Sequence, residues 1–166
     1  VPPKLYGGTE RVVSWLTEEL VQRGHDVTLF ASGDSQTAAR LVPLCPKGLR
    51  LAGVGDHTPM HLVALHHVRR MADQFDVIHF HIDLLQYPVF EQLGYKTITT
   101  LHGRLDLSDY HPIYRAFPNM PLVSISHHQR QPMPRPVNWH ANIPHGLPPT
   151  GIPFSERIFS TSKLVS

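Results

Sequence analysis

Short runs of β-branched and apolar residues alternate with stretches of helical spacing along most of the chain, and this alternation limits the fold more than any other feature. The run Val27-Thr28-Leu29-Phe30-Ala31 begins within three residues of a helical segment and is bounded by His25-Asp26 and Ser32-Gly33-Asp34-Ser35. A strand that is apolar along its whole length must be covered on both faces, which is the condition of a parallel sheet under helices. The segment before it, residues 9–23, sets Val12, Val13, Leu16 and Leu20 on one face, with Glu10, Arg11, Glu18, Glu19 and Arg23 mostly elsewhere. That is an amphipathic helix, with the Thr9 hydroxyl expected as its cap and Gly24 as its left-handed stop. Further strands are expected at residues 40–44, 76–80, 96–101, 121–126 and 137–143, and helices at 61–72 and 84–93. The expected class is α/β: a Rossmann-like, doubly wound parallel sheet with helices on both faces.

The segment Val1-Pro2-Pro3-Lys4-Leu5-Tyr6-Gly7-Gly8 ahead of the first helix reads as a loop. A doubly wound sheet ordinarily opens with a strand that lies in its middle, so the chain is expected to lack its first strand and to carry an open slot between that strand's neighbours. It reads as a fragment, able to self-associate through the slot.

Composition narrows the function classes. In 166 residues, 41% hydrophobic content with 17% charged supplies one core of ordinary size. The 15 Lys and Arg are scattered and the net charge is +2, which argues against nucleic acid as a partner. No run approaches the roughly 18 apolar residues of a membrane span. Cys45 stands alone, so neither an internal disulfide nor a cysteine zinc cluster is available. With no secretory signal pattern at Val1, a cytoplasmic location is expected. Of 16 prolines, many fall after residue 112, and Pro132, Pro134 and Pro136 disfavour helix there. The domain is expected to span residues 1–148, followed by an atypical tail over 149–166.

Three stretches could carry chemistry. Gly7-Gly8 precedes a helix whose unpaired amides and partial positive charge suit a phosphate, and a tight turn needing positive φ is the alternative. His79-Phe80-His81-Ile82-Asp83 resembles the start of the zinc signature of metallo-β-lactamases, but Leu84 stands where that signature has histidine. The alternatives are a metal-dependent hydrolase or histidines that fill the end of a strand, and the adjacent pairs His66-His67 and His127-His128 do not decide between them. Thr99-Thr100-Leu101-His102-Gly103 puts a histidine at the carboxyl end of a parallel strand, where open α/β sheets bind ligands. There it can exchange a proton or bond a hydroxyl, or simply cap the strand.

Taken in order, Leu5-Tyr6-Gly7-Gly8-Thr9-Glu10-Arg11-Val12-Val13, Arg23 to Ala31, Asp76-Val77-Ile78-His79-Phe80-His81 and Thr100-Leu101-His102-Gly103 resemble the amino-terminal domain of a family 4 glycosyltransferase of the GT-B fold. Val123-Ser124-Ile125-Ser126, Gln129-Arg130 and Ile143-Pro144-His145-Gly146 extend the resemblance. It implies retaining transfer from a nucleotide-sugar donor to an unidentified acceptor, with no bound metal or other cofactor, in a cleft between two domains. This chain would be the acceptor-side half, inactive without the carboxyl-terminal domain that grips the donor. By the same resemblance Gly7 and Gly8 approach the donor diphosphate and His102 acts catalytically, bonding the donor sugar. His79, His81, Asp83 and Gly103 would lie in the cleft. The rival from another class is a non-catalytic α/β binding or interaction module.

Overall fold

A computed structural model describes Pro2 and residues 7–146. The expected tail over 149–166 and most of the loop before Gly7 lie outside the described residues.

The first helix, α1 (Gly8–Gln22), starts one residue earlier than its periodicity predicts. Thr9 lies inside it and does not cap it; Gly7 takes the cap position without a side-chain bond, and its carbonyl accepts the Arg11 amide at 3.1 Å. The other end agrees with the expectation. Gly24 has φ +87°, its amide reaches Val21 O at 2.9 Å, and the His25 amide reaches Leu20 O at 3.1 Å. These paired bonds close the last turn only if the residue after the cap is left-handed, which glycine tolerates best.

After this turn come β1 (Thr28–Ser32) and β2 (Arg40–Cys45), paired in parallel. The α1 side chain Glu18 holds their connection by accepting from the Thr37 hydroxyl at 2.6 Å and the Ala38 amide at 3.2 Å. Pro43 within β2 is tolerated because β2 pairs on one side only, so a missing amide breaks no ladder there.

The helix α2 (Thr58–Arg70) begins three residues before the predicted 61–72 span. Pro59 sits in its first turn rather than in the preceding loop, since that turn has no use for an amide donor. A short 3-10 turn, Ala72–Gln74, leads to β3 (Ile78–Phe80). The single helix expected over 84–93 is instead α3 (Tyr87–Phe90) followed by a 3-10 segment, Glu91–Lys96. Pro88 sets the late start, and Leu93 leaves helical geometry at φ −108°, ψ 16°.

Next come β4 (Thr97–Thr100), α4 (His111–Ala116), β5 (Leu122–Ser124) and β6 (Trp139–Asn142). All four strand spans from β3 onward are shorter than predicted, and Val77, ahead of β3, is 64% exposed. The described strands form two parallel sheets, β1-β2 and β3-β4-β5-β6, and β1 is not hydrogen-bonded to β3. This is the mixed α/β class expected, and among the described residues no strand joins the two sheets.

The core belongs to the larger sheet. Ile78, Phe80 and Leu122 from strands pack with Leu65 and Val68 of α2, Tyr87 and Phe90 of α3, and Tyr114 of α4. Phe80 and Phe90 meet edge to face at 4.8 Å between centroids. In α1, by contrast, the buried residues are Ser14 and Thr17, and the apolar stripe Val12, Val13, Leu16 and Leu20 is only half-buried.

Candidate functional site

Because β3 to β6 run parallel, the residues that follow each strand arrive at the same end of the sheet. His81 follows β3, His102 follows β4, Ser126 follows β5 and His145 follows β6. The main chain continues the ladder past the strand ends, with the Leu101 amide on Val123 O at 3.0 Å and the Ile143 amide on Ser124 O at 2.8 Å. This backbone pairing fixes where the next side chains emerge.

Gln129 ties two of these ends together. Its amide nitrogen donates to Leu101 O at 3.0 Å and Gly103 O at 2.8 Å, and its carbonyl oxygen accepts the Ile125 amide at 2.9 Å. Arg130 performs the same service between β5 and β6. Its guanidinium donates to Ser124 Oγ at 2.7 Å and to Ala141 O, and lies 4.7 Å from the Trp139 ring centre. Ser124 Oγ then donates to Asn142 Oδ1 at 2.8 Å.

The turns after β4 and β5 enclose an open cleft of about 810 Å³, lined among others by His102, Gly103, Arg104, Ser126, His128 and Gln129. On its rim Arg104 grips Asp106 through two bonds of 2.9 and 2.8 Å. Both of these side chains are exposed and leave the cleft open to solvent.

From the cleft residue His102 the histidines form a chain. His79 Nε2 shares a hydrogen bond with Thr100 Oγ1 at 2.8 Å, and its ring lies 4.1 Å from that of His81. His81 Nδ1 meets His102 Nε2 at 2.9 Å, and His102 Nδ1 meets His145 Nε2 at 2.9 Å. The ring centres of these last pairs are 5.2 and 5.1 Å apart and their planes are inclined by 29°, so the rings meet end to end through the shared nitrogens. Burial pushes His81 down to about 3, with His79, His102 and His145 adding to the effect. It pushes His102 down to about 4, again helped by neighbouring imidazoles. Both rings are therefore neutral near pH 7, able to give or take one hydrogen bond per nitrogen but carrying no charge.

Of the residues singled out in the sequence, His102 and Gly103 line the cleft. His81 shares a hydrogen bond with His102, and the exposed His79 sets its ring 4.1 Å from that of His81. Asp83 is exposed and lies near Tyr87 and Tyr114, and no hydrogen bond joins it to these histidines. Gly7 is extended at φ 179° and Gly8 opens α1, so the positive-φ turn is not how this pair is used. A Cβ added at Gly8 would meet nothing within 4 Å.

The ligand spacing of a metallohydrolase is not reproduced. Leu84 packs against the core, and the nitrogens of His81, His102 and His145 face each other. Among the described residues no group of three or more His, Cys, Asp or Glu is arranged to hold a metal ion. His66 and His67 lie exposed on α2, while His128 reaches the cleft.

Thr100, Gln129 and His145 are the residues that sequence reasoning left without roles. Gln129 and His145 lie in stretches of recognisable pattern, but nothing in their spacing shows what they would meet across the sheet.

Among the described residues no helix is long and apolar enough to cross a membrane. None of the curated proteins matches the chain. The model of Glycosyltransferase Family 4 does match, over residues 6–144, which takes in every described strand and the cleft, and the chain belongs to that family.

Proposed function

We propose that the chain is the acceptor-side half of a retaining glycosyltransferase that takes its sugar from a nucleotide donor. The observation that carries this reading is the cleft at the carboxyl ends of the parallel strands, with the neutral ring of His102 on its wall, inside the family match. A neutral imidazole suits a hydroxyl-rich ligand, since it bonds without the desolvation cost of a charge.

In this reading His102 bonds the donor sugar near its reacting carbon. The amides at Gly7-Gly8 approach the donor diphosphate, where charge develops on the leaving group and fixed dipoles stabilise it. Open space at Gly8 favours that approach. The acceptor enters along the turns after β4 and β5. A second, carboxyl-terminal domain supplies the rest of the donor site, so this chain binds but does not turn over alone. Its domain runs through residues 1–148 with 149–166 as a separate tail, and it works in the cytoplasm, where nucleotide sugars are made.

The test is a panel of nucleotide sugars and free monosaccharides titrated into the isotopically labelled chain, with backbone spectra recorded and products followed by mass spectrometry. Shifts confined to residues 102–106 and 126–131, without sugar transfer or donor cleavage, are expected. If no carbohydrate perturbs the cleft at millimolar concentration, the transferase reading fails. A non-catalytic interaction module would be left, and the break between β1 and β3 favours it as the second reading.

A further inference from the structure

His102 has two ring nitrogens, and both are already engaged by other imidazoles: Nε2 by His81 and Nδ1 by His145, each at 2.9 Å. The two partners differ in kind. His81 is anchored immediately after β3 and partly buried, whereas His145 is exposed and stands three residues beyond β6. If one contact opens, it is the contact to His145.

We propose that His145 is a positioning residue which occupies Nδ1 of His102 and couples three histidines into a single tautomer, so that a ligand reaches that nitrogen only after His145 moves. The coupling follows from the connectivity. Each link joins an Nδ1 to an Nε2, and each link needs one proton between its two nitrogens. A neutral ring carries one proton. If His102 carries it on Nδ1, it donates to His145 and accepts from Nδ1 of His81, so all three rings are Nδ1-protonated. If His102 carries it on Nε2, all three are Nε2-protonated. No mixed arrangement of neutral rings satisfies both bonds.

The three rings therefore switch together. A proton taken up at Nδ1 of His145 and passed along both links leaves from Nε2 of His81, which converts one arrangement into the other with atoms and charge balanced. His145 lies on the segment that leaves the sheet after β6, so movement of that segment frees Nδ1 of His102 while Nε2 stays on His81. The ligand-gating consequence rests on the proposed role of His102, but the coupling itself does not.

The test uses the full chain without ligand. Ring nitrogen chemical shifts distinguish protonated from bare nitrogens, and diethyl pyrocarbonate, whose carbonyl is attacked by a bare imidazole nitrogen, reports whether His102 is available. At mildly alkaline pH, where an ordinary imidazole is neutral, the three rings are expected to show one common tautomer. In His145→Ala the ring signals of His102 should shift, and its modification should accelerate roughly fivefold, the change in population expected from losing one hydrogen bond of ordinary net strength. His145→Gln, whose terminal amide reaches the place of Nε2, should restore protection. Different tautomers among the three rings, unchanged His102 reactivity in His145→Ala, or failure of glutamine to restore it would each overturn the proposal. Backbone spectra that agree away from the cleft confirm that both variants are folded. A failure of sugar binding would leave these results standing, which separates this proposal from the one above.

Discussion

Acid should weaken this fold through the neutral ring of His81. In the folded chain burial and the adjacent imidazoles hold His81 at about 3, against an ordinary value of 6.5. A depressed histidine stays neutral in the folded state while the unfolded chain takes up a proton as pH falls through 6.5. Its contribution is therefore complete above about pH 7 and is lost progressively down to about pH 3. Between about pH 7.5 and pH 5 this single group should cost about 2 kcal/mol of stability, from the ratio of proton binding in the two states. The perturbation that isolates it is His81→Asn. Asparagine keeps an amide where Nδ1 stood, so the contact with His102 Nε2 survives, but the titrating site is gone. Urea unfolding at the two pH values should show the wild-type chain losing about 2 kcal/mol more than the variant. Asp34, Asp56 and Asp106 are held below their usual value and Asp83 is raised by burial, but all four are common to both proteins and cancel in the difference. Equal losses in the two proteins, within the roughly 10–15% uncertainty of extrapolated free energies, would refute the buried-neutral account of His81.

Other outcomes follow from the packing. Phe90→Ala should destabilise the chain by about 3–5 kcal/mol in the same unfolding assay, because the ring is fully buried against Phe80 and its loss leaves a cavity. Gly24→Ala should cost about 1–2 kcal/mol through its left-handed backbone, whereas Gly8→Ala should stay within about 0.5 kcal/mol, having neither strain nor a clash. Arg130→Ala should cost about 1–3 kcal/mol and speed amide exchange in β6, since it removes donors from Ser124 and Ala141 and a cation from the Trp139 face. Unchanged exchange in β6 would mean that the ladder alone holds that strand.

The elements most legible in the sequence were those whose side chains decide their own conformation. Val27 to Ala31 and Lys96 to Leu101 are dense in β-branched and apolar residues, and β1 and β4 lie within one residue of those runs. Helix boundaries depended on proline and on backbone geometry instead. Pro59 and Pro88 each begin a helix, and the kink at Leu93 divides one. Nothing in the pattern marked α4, a six-residue helix too short to show a period, yet its Tyr114 is buried in the core. For the site, the position of His102 at a strand end could be read from one segment alone. Its partners could not, because His81, His102 and His145 are brought together by the register of β3, β4, β5 and β6, which is a property of pairing between distant segments. The Thr9 cap failed for a local reason: the helix starts at Gly8, so the hydroxyl sits inside the first turn.

The division of the strands into two sheets bears on how the molecule comes apart. Residues of α1, β1 and β2 contribute little to the main core, and one visible bridge to it is the edge contact of Phe30 with Phe75, at 5.8 Å between ring centres. Segments with few buried apolar contacts open at lower free energy than the core they border, and they do so as units. The first forty or so residues should then detach as one cooperative unit while β3 to β6 hold their ladder. Partial unfolding would carry Gly7 and Gly8 away and leave the histidine chain and its cleft intact. A chain that has lost one half of its proposed chemistry could thus still pass for folded by any probe that looks only at the larger sheet.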